Sequence, residues 1–203
     1  MIRAGLLVVL VLFATAHADP SGPSDLYYVV ESPASHPNTF EIRILGGNDF
    51  SNPYLDTITA GLSAHWLLHR TIGLGLEAVT YRNSKRSSAI ALEQTLGPFG
   101  FQVETPSPEW SSAAVIRLVP MTGLVNFFSW KIVPIDVIVL GKAGLSRYSA
   151  YNPGLLLGVG LEMNIGFDSM WGMFLAASWE QDHIPTLTHQ SRVGFRAGPR
   201  VRF

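Results

Sequence analysis

Apolar and polar residues alternate along eight segments of this chain. In the last segment, Ser191–Phe203, apolar residues fall at every second position, and arginine or glycine fills most of the positions between them. Alternation of this kind over about ten residues is typical of a β-strand with one apolar face and one polar face. The eight predicted strands are Thr39–Gly47, Thr57–Leu68, Ile72–Arg82, Ser112–Met121, Ile132–Arg147, Gly154–Ile165, Met170–Asp182 and Ser191–Phe203.

Two kinds of all-β fold can explain the alternation. In a soluble antiparallel sandwich or barrel, the polar face meets water. In a membrane barrel, the apolar face meets lipid and the polar face lines the interior. An arginine facing the middle of a bilayer costs ~2–4 kcal/mol, so the arginines of the last strand would have to point inward. Apart from Arg82 and Arg147 at the ends of their strands, none of the predicted lipid-facing positions carries a charge, and this favours the membrane barrel.

The composition supports the same choice. Of the 203 residues, 47% are hydrophobic and only 14% are charged, against about 25% charged residues in an average soluble domain. The longest charge-free runs after residue 18, such as Leu118–Trp130 and Tyr148–Leu161, contain proline, glycine and asparagine and are shorter than the about 18 residues of a spanning helix. A closed β-barrel is then the remaining way to cross a membrane.

The charge balance and the absence of cysteine exclude several function classes. With 14 Lys+Arg against 15 Asp+Glu, the chain has no basic excess for a phosphate backbone, and no nucleic-acid partner is expected. The lack of cysteine removes disulfides, thiolate metal sites and thiol nucleophiles.

The first eighteen residues predict an export signal. Arg3 is followed by the apolar stretch Leu6–Phe13 and then by a small-x-small site that ends with Ala16 and Ala18. A short basic start, a core of about 7–15 apolar residues and such a site are the features of a cleavable signal peptide. We therefore predict cleavage after Ala18 and export of the mature chain.

The predicted strands divide the rest of the chain. Residues 19–38 are expected to form a periplasmic segment and residues 39–203 the barrel, with a long extracellular loop at 83–111 in which Ser84–Leu96 can form a helix. If both ends of the barrel are periplasmic, Thr122–Lys131 is a long periplasmic link, which we interpret as a short helical turn in the membrane interface.

Aromatic residues near the strand ends predict the girdles found at both surfaces of membrane barrels. The predicted interface aromatics are Trp66, Phe127, Phe128, Trp130, Trp171 and Trp179. A terminal Phe203 that closes an alternating strand resembles the C-terminal assembly signal of bacterial outer-membrane barrels.

The mature chain as a whole resembles the small eight-stranded outer-membrane proteins of the OmpA, OmpX or OmpW type. More narrowly, Val119–Gly144 and Gly158–Gly166 are similar to the outer-membrane β-barrel domain proteins of myxobacteria and their relatives. The resemblance implies a porin-like fold in the outer membrane of a Gram-negative bacterium. It also implies contact with outer-membrane lipids, recognition of the last strand by the barrel-assembly machinery, and a monomer. It implies no reaction.

The interior of an eight-stranded barrel is just wide enough for side chains, so we expect it to be filled. The alternation places seven basic and six acidic residues there, and this near-neutrality suits a buried network of ion pairs. We expect Arg192 or Arg196 to face Glu180 or Asp182 on the neighbouring strand. The predicted ion-pair residues are Glu41, Arg43, Glu77, Arg117, Asp136, Lys142, Glu162, Glu180, Asp182, Arg192, Arg196, Arg200 and Arg202.

Three functions stay open at this stage. The first is a structural or surface-interaction barrel with a plugged interior. The second is a lipid-modifying hydrolase with Ser63 and His65, or Ser191 and His189, as nucleophile and base, although no G-x-S-x-G motif occurs. The third is a transporter that passes apolar solutes through a lateral opening. The histidines are scattered along the chain and His183 is read as a solvated loop residue, so no metal and no cofactor is expected.

Overall fold

The computed structural model describes residues 37–50, 52–99, 106–127, 131–149, 151–185 and 189–203. These residues contain eight strands and one α-helix. The strands are β1 (Thr39–Asp49), β2 (Leu55–Leu67), β3 (Ile72–Lys85), β4 (Pro108–Phe127), β5 (Lys131–Tyr148), β6 (Gly154–Gly166), β7 (Trp171–His183) and β8 (Gln190–Arg202). Helix α1 (Ser87–Leu96) lies between β3 and β4 and continues into a 3-10 turn, Gly97–Phe99.

The strands form one closed antiparallel barrel. Each strand pairs with the next along the chain, and β8 pairs with β1. The predicted fold, an eight-stranded antiparallel barrel, is therefore confirmed. No helix in the described part of the chain is long and apolar enough to cross a membrane. Below, the barrel end that holds Thr39 and Phe203 is called the termini end, and the opposite end, which holds α1, is called the loop end.

The predicted strands coincide closely with the observed ones, except along β4. The prediction ended this strand at Met121, but it continues to Phe127 and pairs with β5 as far as Phe127↔Lys131. The predicted link is therefore wrong from Thr122 to Phe127, where the chain forms a strand and not a helical turn, and residues 128–130 lie outside the described part of the chain. The physical reason is that cross-strand pairs such as Val125↔Val133 sustain a hairpin, and the bulge between Leu118 and Met121 absorbs Pro120, which cannot donate to a ladder.

The end of this hairpin projects beyond the neighbouring strands. Strand β3 pairs with β4 only as far as Leu118, and β6 pairs with β5 only from Ile135. Between these limits the hairpin has no strand on either side, and every residue from Met121 to Val125 is exposed.

The predicted extracellular loop at 83–111 is shorter than expected and partly ordered. Strand β3 continues to Lys85 and β4 begins at Pro108, while α1 confirms the predicted helix. The helix buries Ala89, and its N-terminus is tied to the barrel by Arg86, whose Nε lies 2.6 Å from Oδ1 of Asp56. Residues 100–105 lie outside the described part of the chain.

The barrel closes through a seam between its first and last strands. The N–H of Phe203 donates to the carbonyl of Phe40 at 2.8 Å, and the N–H of Phe40 donates back at 3.2 Å. The ladder then pairs Glu41–Arg43 with β8, skips the next two positions and resumes at Gly46↔Ala197. Pro199 lies in the skipped stretch, where its missing N–H removes one ladder bond.

The N-terminal predictions lie mostly outside the described residues. These are the signal peptide at 1–18, with its cleavage site at Ala16 and Ala18, and the periplasmic segment at 19–38, of which the structure describes only the last two residues.

Candidate functional site

Burial alternates along the strands and separates an interior from an exterior. In β1 and β2, every second residue is buried in the interior, and most of the residues between them are exposed. All thirteen residues predicted to form ion pairs in the interior are buried, each with at most 9% of its surface exposed. Side chains that the alternation placed on one face of each strand thus meet inside a single lumen.

The exterior carries an apolar band. On β2 the outward residues from Ile58 to Leu68 are all apolar. This stretch is about 33 Å of strand, which a tilt of about 40° reduces to the ~25 Å height of a membrane barrel's apolar belt. Among the strand residues whose side chains the structure describes, the exposed charged residues all lie at the loop end, and they are Asp56, Arg82, Lys85, Glu109 and Arg147. The chain is thus a transmembrane β-barrel of the outer-membrane type.

The termini end of the lumen holds a cluster built around two glutamates. Glu41 is fully buried and lies within ion-pair distance of four arginines, at 3.0 Å from Arg200 and 3.3 Å from Arg202. Arg43 and Arg117 each bridge Glu41 to Glu162, which lies on β6. We call these six residues the termini-end cluster: Glu41, Glu162, Arg43, Arg117, Arg200 and Arg202.

The loop end of the lumen holds a second cluster. Glu180 accepts from Arg196 at 2.9 Å, Arg192 at 3.2 Å and Lys142 at 3.3 Å. Lys142 also donates to Glu77 at 2.7 Å. Arg192 continues the network to Asp182 at 2.7 Å. The predicted pairing of β8 arginines with acidic residues of β7 is thus present in the structure. The loop-end cluster comprises Glu77, Glu180, Asp182, Lys142, Arg192, Arg196 and Asp49.

Asp49 is the acidic residue that the sequence prediction missed. Its carboxylate lies 3.8 Å from Nη1 of Arg192, and only 8% of the residue is exposed. The prediction ended β1 at Gly47, but the alternation that places Glu41 and Arg43 inward reaches Asp49 two residues later. With it, the buried charged residues of the described barrel are seven basic and seven acidic, so the lumen is formally neutral.

Aromatic and apolar side chains fill the space beside the charges. The guanidinium of Arg43 lies 5.0 Å from the ring centre of Phe174, and that of Arg192 lies 4.8 Å from the ring centre of Tyr81. Stacking on aromatic faces suits arginine because its guanidinium is planar and weakly hydrated. Leu45 and Val79 pack against the same two rings. The lumen is therefore occupied by packed side chains at both ends.

Two glycines make room for the charged side chains. A Cβ at Gly172 would lie 2.6 Å from Nε of Arg200, and a Cβ at Gly158 would lie 3.0 Å from Cγ of Glu180. These glycines sit on inward positions where a neighbour's long side chain crosses the strand. Their role in packing could not be read from their spacing alone.

Asp136 differs from the other buried acids. Its Oδ1 has no hydrogen-bond partner within the described residues, and only 2% of the residue is exposed. A buried carboxylate without full pairing is costly. Asp136 lies on the strand face that carries Ile138 and Leu140, which form an apolar cluster with residues of β4.

The Ser63 and His65 pair is brought together inside the barrel. Nε2 of His65 lies 3.0 Å from Oγ of Ser63, but both residues are buried. Nδ1 of His65 has no partner in the described part of the chain and instead packs against Gly75, where a Cβ would overlap it. A catalytic triad needs an acid at this nitrogen, so the arrangement supplies two of three groups, away from any lipid substrate.

The second predicted catalytic pair is not assembled. Ser191 is exposed on the outward face of β8, whereas Nδ1 of His189 lies 3.1 Å from Nδ1 of His183. His189 therefore contacts another histidine. Within the described residues, no group of three or more His, Asp or Glu side chains could hold a metal ion.

The predicted interface aromatics lie near both ends of the apolar band. Trp66 and Trp171 are exposed at the termini end, and Trp179 is exposed nearer the loop end. Phe203 is 66% exposed beside the seam. Phe127 belongs to β4 and not to a helical turn, and Phe128 and Trp130 lie outside the described residues.

No family model matches the sequence, and no curated protein matches it. The narrower resemblance to the myxobacterial proteins therefore stays a prediction.

Several solved structures are similar in strand arrangement at very low sequence identity. A de novo designed transmembrane β-barrel is 10% identical, with a TM-score of 0.42, over 84% of this chain and 99% of the designed one. The N-terminal β-barrel domain of Pseudomonas aeruginosa OprF is 14% identical, with a TM-score of 0.42, over 82% and 98%. Neisserial surface protein A is 12% identical, with a TM-score of 0.45, over 81% and 96%.

Proposed function

We propose that this chain is an integral protein of the bacterial outer membrane with a closed interior and a structural or surface-interaction role. The observation that carries the proposal is the lumen, where seven basic and seven acidic side chains are buried together. A permeation path needs open, wet space along its axis, whereas here ion pairs between strands that are not neighbours bridge the lumen at each end. Arg43 reaches from β1 to Glu162 on β6, and Lys142 reaches from β5 to Glu77 on β3.

A conductance measurement tests the closed interior. The mature chain, refolded into a planar bilayer, is expected to give no stable single-channel current, while a large porin in the same bilayer serves as the positive control. A stable, reproducible current from the wild-type chain would overturn the proposal. The double variant Glu180→Ala/Arg196→Ala removes two bridging side chains and keeps the net charge, so it tests whether the loop-end cluster is a barrier.

Residence in the outer membrane is tested separately. A folded membrane barrel resists detergent at room temperature, so the unboiled protein is expected to migrate apart from the boiled one on a gel. Cell fractionation should recover it with outer-membrane lipids. Equal migration with recovery in the periplasmic soluble fraction would contradict the proposal and leave a soluble barrel.

A surface-interaction role is supported by the exposed apolar residues at the loop end. Ile90, which is 44% exposed, lies in the helix that Arg86 ties to the barrel, and Phe99, which is 75% exposed, lies in the 3-10 turn that follows it. Exposed apolar side chains on an ordered loop are a common basis for recognition. Proteolytic protection of this segment on intact cells, compared between wild type and Phe99→Ser, would show whether a surface partner covers it.

The lipid-hydrolase alternative rests on Ser63 and His65. Their burial and the unpartnered Nδ1 of His65 argue against it. Purified protein in phospholipid vesicles is expected to release no fatty acid above the level of Ser63→Ala. Release that disappears in Ser63→Ala would establish the alternative.

The transporter alternative needs a lateral opening, and the interrupted pairing near Pro199 is the place where such an opening would have to form.

A further inference from the structure

Two histidines face each other across the β7–β8 hairpin at the loop end. His183 is the last residue of β7 and His189 directly precedes β8. The last ladder pair is Asp182↔Gln190, so one more antiparallel step makes His183 and His189 direct cross-strand partners. Because side chains alternate, both leave the lumen face that Asp182 occupies. Both histidines are exposed.

The separation of their ring nitrogens matches a chelate. The two Nδ1 atoms are 3.1 Å apart, and the ring centres are 4.6 Å apart. Two imidazole nitrogens bound to one metal ion at about 2.0–2.1 Å lie about 2.9 Å apart at a 90° angle and about 3.4 Å apart at a tetrahedral angle. The observed separation falls between these values. In the structure the two nitrogens share a hydrogen bond, and a metal ion that replaces the shared proton would need little change in their separation.

We propose that His183 and His189 form a binding site for a divalent late transition-metal ion, with Cu²⁺ bound most tightly and Ni²⁺ and Zn²⁺ less so. Neutral imidazole is a good ligand for these ions and a poor one for Mg²⁺ or Ca²⁺, which prefer oxygen. For a site made only of nitrogen ligands, the Irving–Williams order places Cu²⁺ first. The remaining coordination positions are open to water or to an external ligand.

The residues beneath the two histidines hold both strands in place. The neighbouring Asp182 points into the lumen, where Tyr148 donates to it at 2.6 Å and Arg192 at 2.7 Å, so these contacts hold both strands directly beneath the histidines. Ligands that come from paired strands lose little conformational entropy on binding. Since the described residues contain no third metal ligand nearby, we expect an exchangeable site.

The test uses the full mature chain, refolded in detergent and carrying no polyhistidine tag. Binding of CuCl₂, NiCl₂, ZnCl₂ and MgCl₂ is measured by calorimetry for wild type, His183→Gln and His189→Gln. The matched control is His69→Gln, because His69 is also exposed but lies at the termini end, with its Nδ1 3.1 Å from Oγ1 of Thr71. A heat-modifiable gel band for each variant shows that the barrel still folds.

We expect one Cu²⁺ per chain in wild type and in His69→Gln, at least tenfold weaker binding in each of the other two variants, and no saturable binding of Mg²⁺. The electron paramagnetic resonance spectrum of the Cu²⁺ complex should show two equatorial nitrogens. No saturable Cu²⁺ binding, or a site unaffected by either substitution, would overturn the proposal. Loss in only one of the two variants would also overturn it, because the chelate requires both rings.

Discussion

Nη2 of Arg196 lies 2.9 Å from Oε1 of Glu180, and Nζ of Lys142 lies 3.3 Å from the same oxygen. One carboxylate oxygen on β7 thus holds cations from β8 and β5, which are not neighbouring strands. These ion pairs connect strands across the lumen, in addition to the hydrogen-bonded ladders that connect neighbouring strands. Because all three groups are buried, removing the shared acceptor leaves two cations with fewer partners in a region of low dielectric.

Glu180→Gln is therefore expected to lower the free energy of unfolding by about 3–5 kcal/mol, the usual cost of breaking a buried ion pair. Denaturant unfolding in vesicles, followed by tryptophan fluorescence, measures it. Glu93→Gln is the matched control, because Glu93 pairs with Lys85 at the surface and such pairs contribute at most about 1 kcal/mol. Equal effects of the two substitutions would contradict the buried network.

The apolar band predicts a position-dependent cost for an introduced charge. Leu76 and Ser84 both face outward on β3 and are exposed, but Leu76 is 68% exposed in the middle of the band, whereas Ser84 lies at the loop end. Leu76→Arg should destabilise the barrel by ~2–4 kcal/mol in a bilayer and Ser84→Arg by no more than ~1 kcal/mol. Unfolding in vesicles is the measurement. A soluble barrel would tolerate both changes equally.

At the seam between β1 and β8, replacing glycine by alanine is expected to impair folding at Gly198 but not at Gly46. A Cβ at Gly198 would overlap the carbonyl oxygen of Ile44, whereas a Cβ at Gly46 would meet the carbonyl oxygen of Ala197 at an ordinary 3.8 Å. Gly198→Ala is expected to separate the strands and to reduce the yield of the heat-modifiable form, while Gly46→Ala should fold like wild type. Normal folding of Gly198→Ala would show that β1 and β8 lie farther apart at Gly198 than the structure indicates.

Removing the hydroxyl group of the buried Tyr148 or of the buried Tyr81 is expected to lower the free energy of unfolding by different amounts. Tyr148 donates to the carboxylate of Asp182 at 2.6 Å, while Tyr81 shares a neutral hydrogen bond of 2.8 Å with Ser111. Hydrogen bonds to charged groups contribute about 1.5–3 kcal/mol and neutral ones about 1 kcal/mol. Tyr148→Phe should therefore destabilise the barrel more than Tyr81→Phe in the same unfolding assay. The reverse order would show that Asp182 is satisfied by Arg192 alone.

Much of the fold was accessible from the sequence because β-strand faces are a local property. The alternation in β8 identified Arg192, Arg196, Arg200 and Arg202 as inward-facing, and all four are buried. The same rule missed Asp49 because the predicted strand stopped two residues early. It also ended β4 too soon, at Met121, whereas the strand continues past the bulge between Leu118 and Met121 to Phe127.

The His183 and His189 pair shows a different limit of prediction from the sequence. Six positions separate the two residues in sequence, and only the register of the β7–β8 ladder makes them opposite each other. Ser191 and His189, which are closer in sequence, are not brought together because Ser191 faces outward on its own strand. Proximity in sequence was therefore a poor guide to this site.

The sequence by itself determined that the chain forms strands, how many there are, and which face of each carries charge, because a period of two is set by each strand's own geometry. The tertiary structure decided which charges meet. Arg43 reaches Glu162 across the lumen, and His65 packs against Gly75 on the next strand. Such contacts depend on strand register and barrel closure, which arise from all eight strands together.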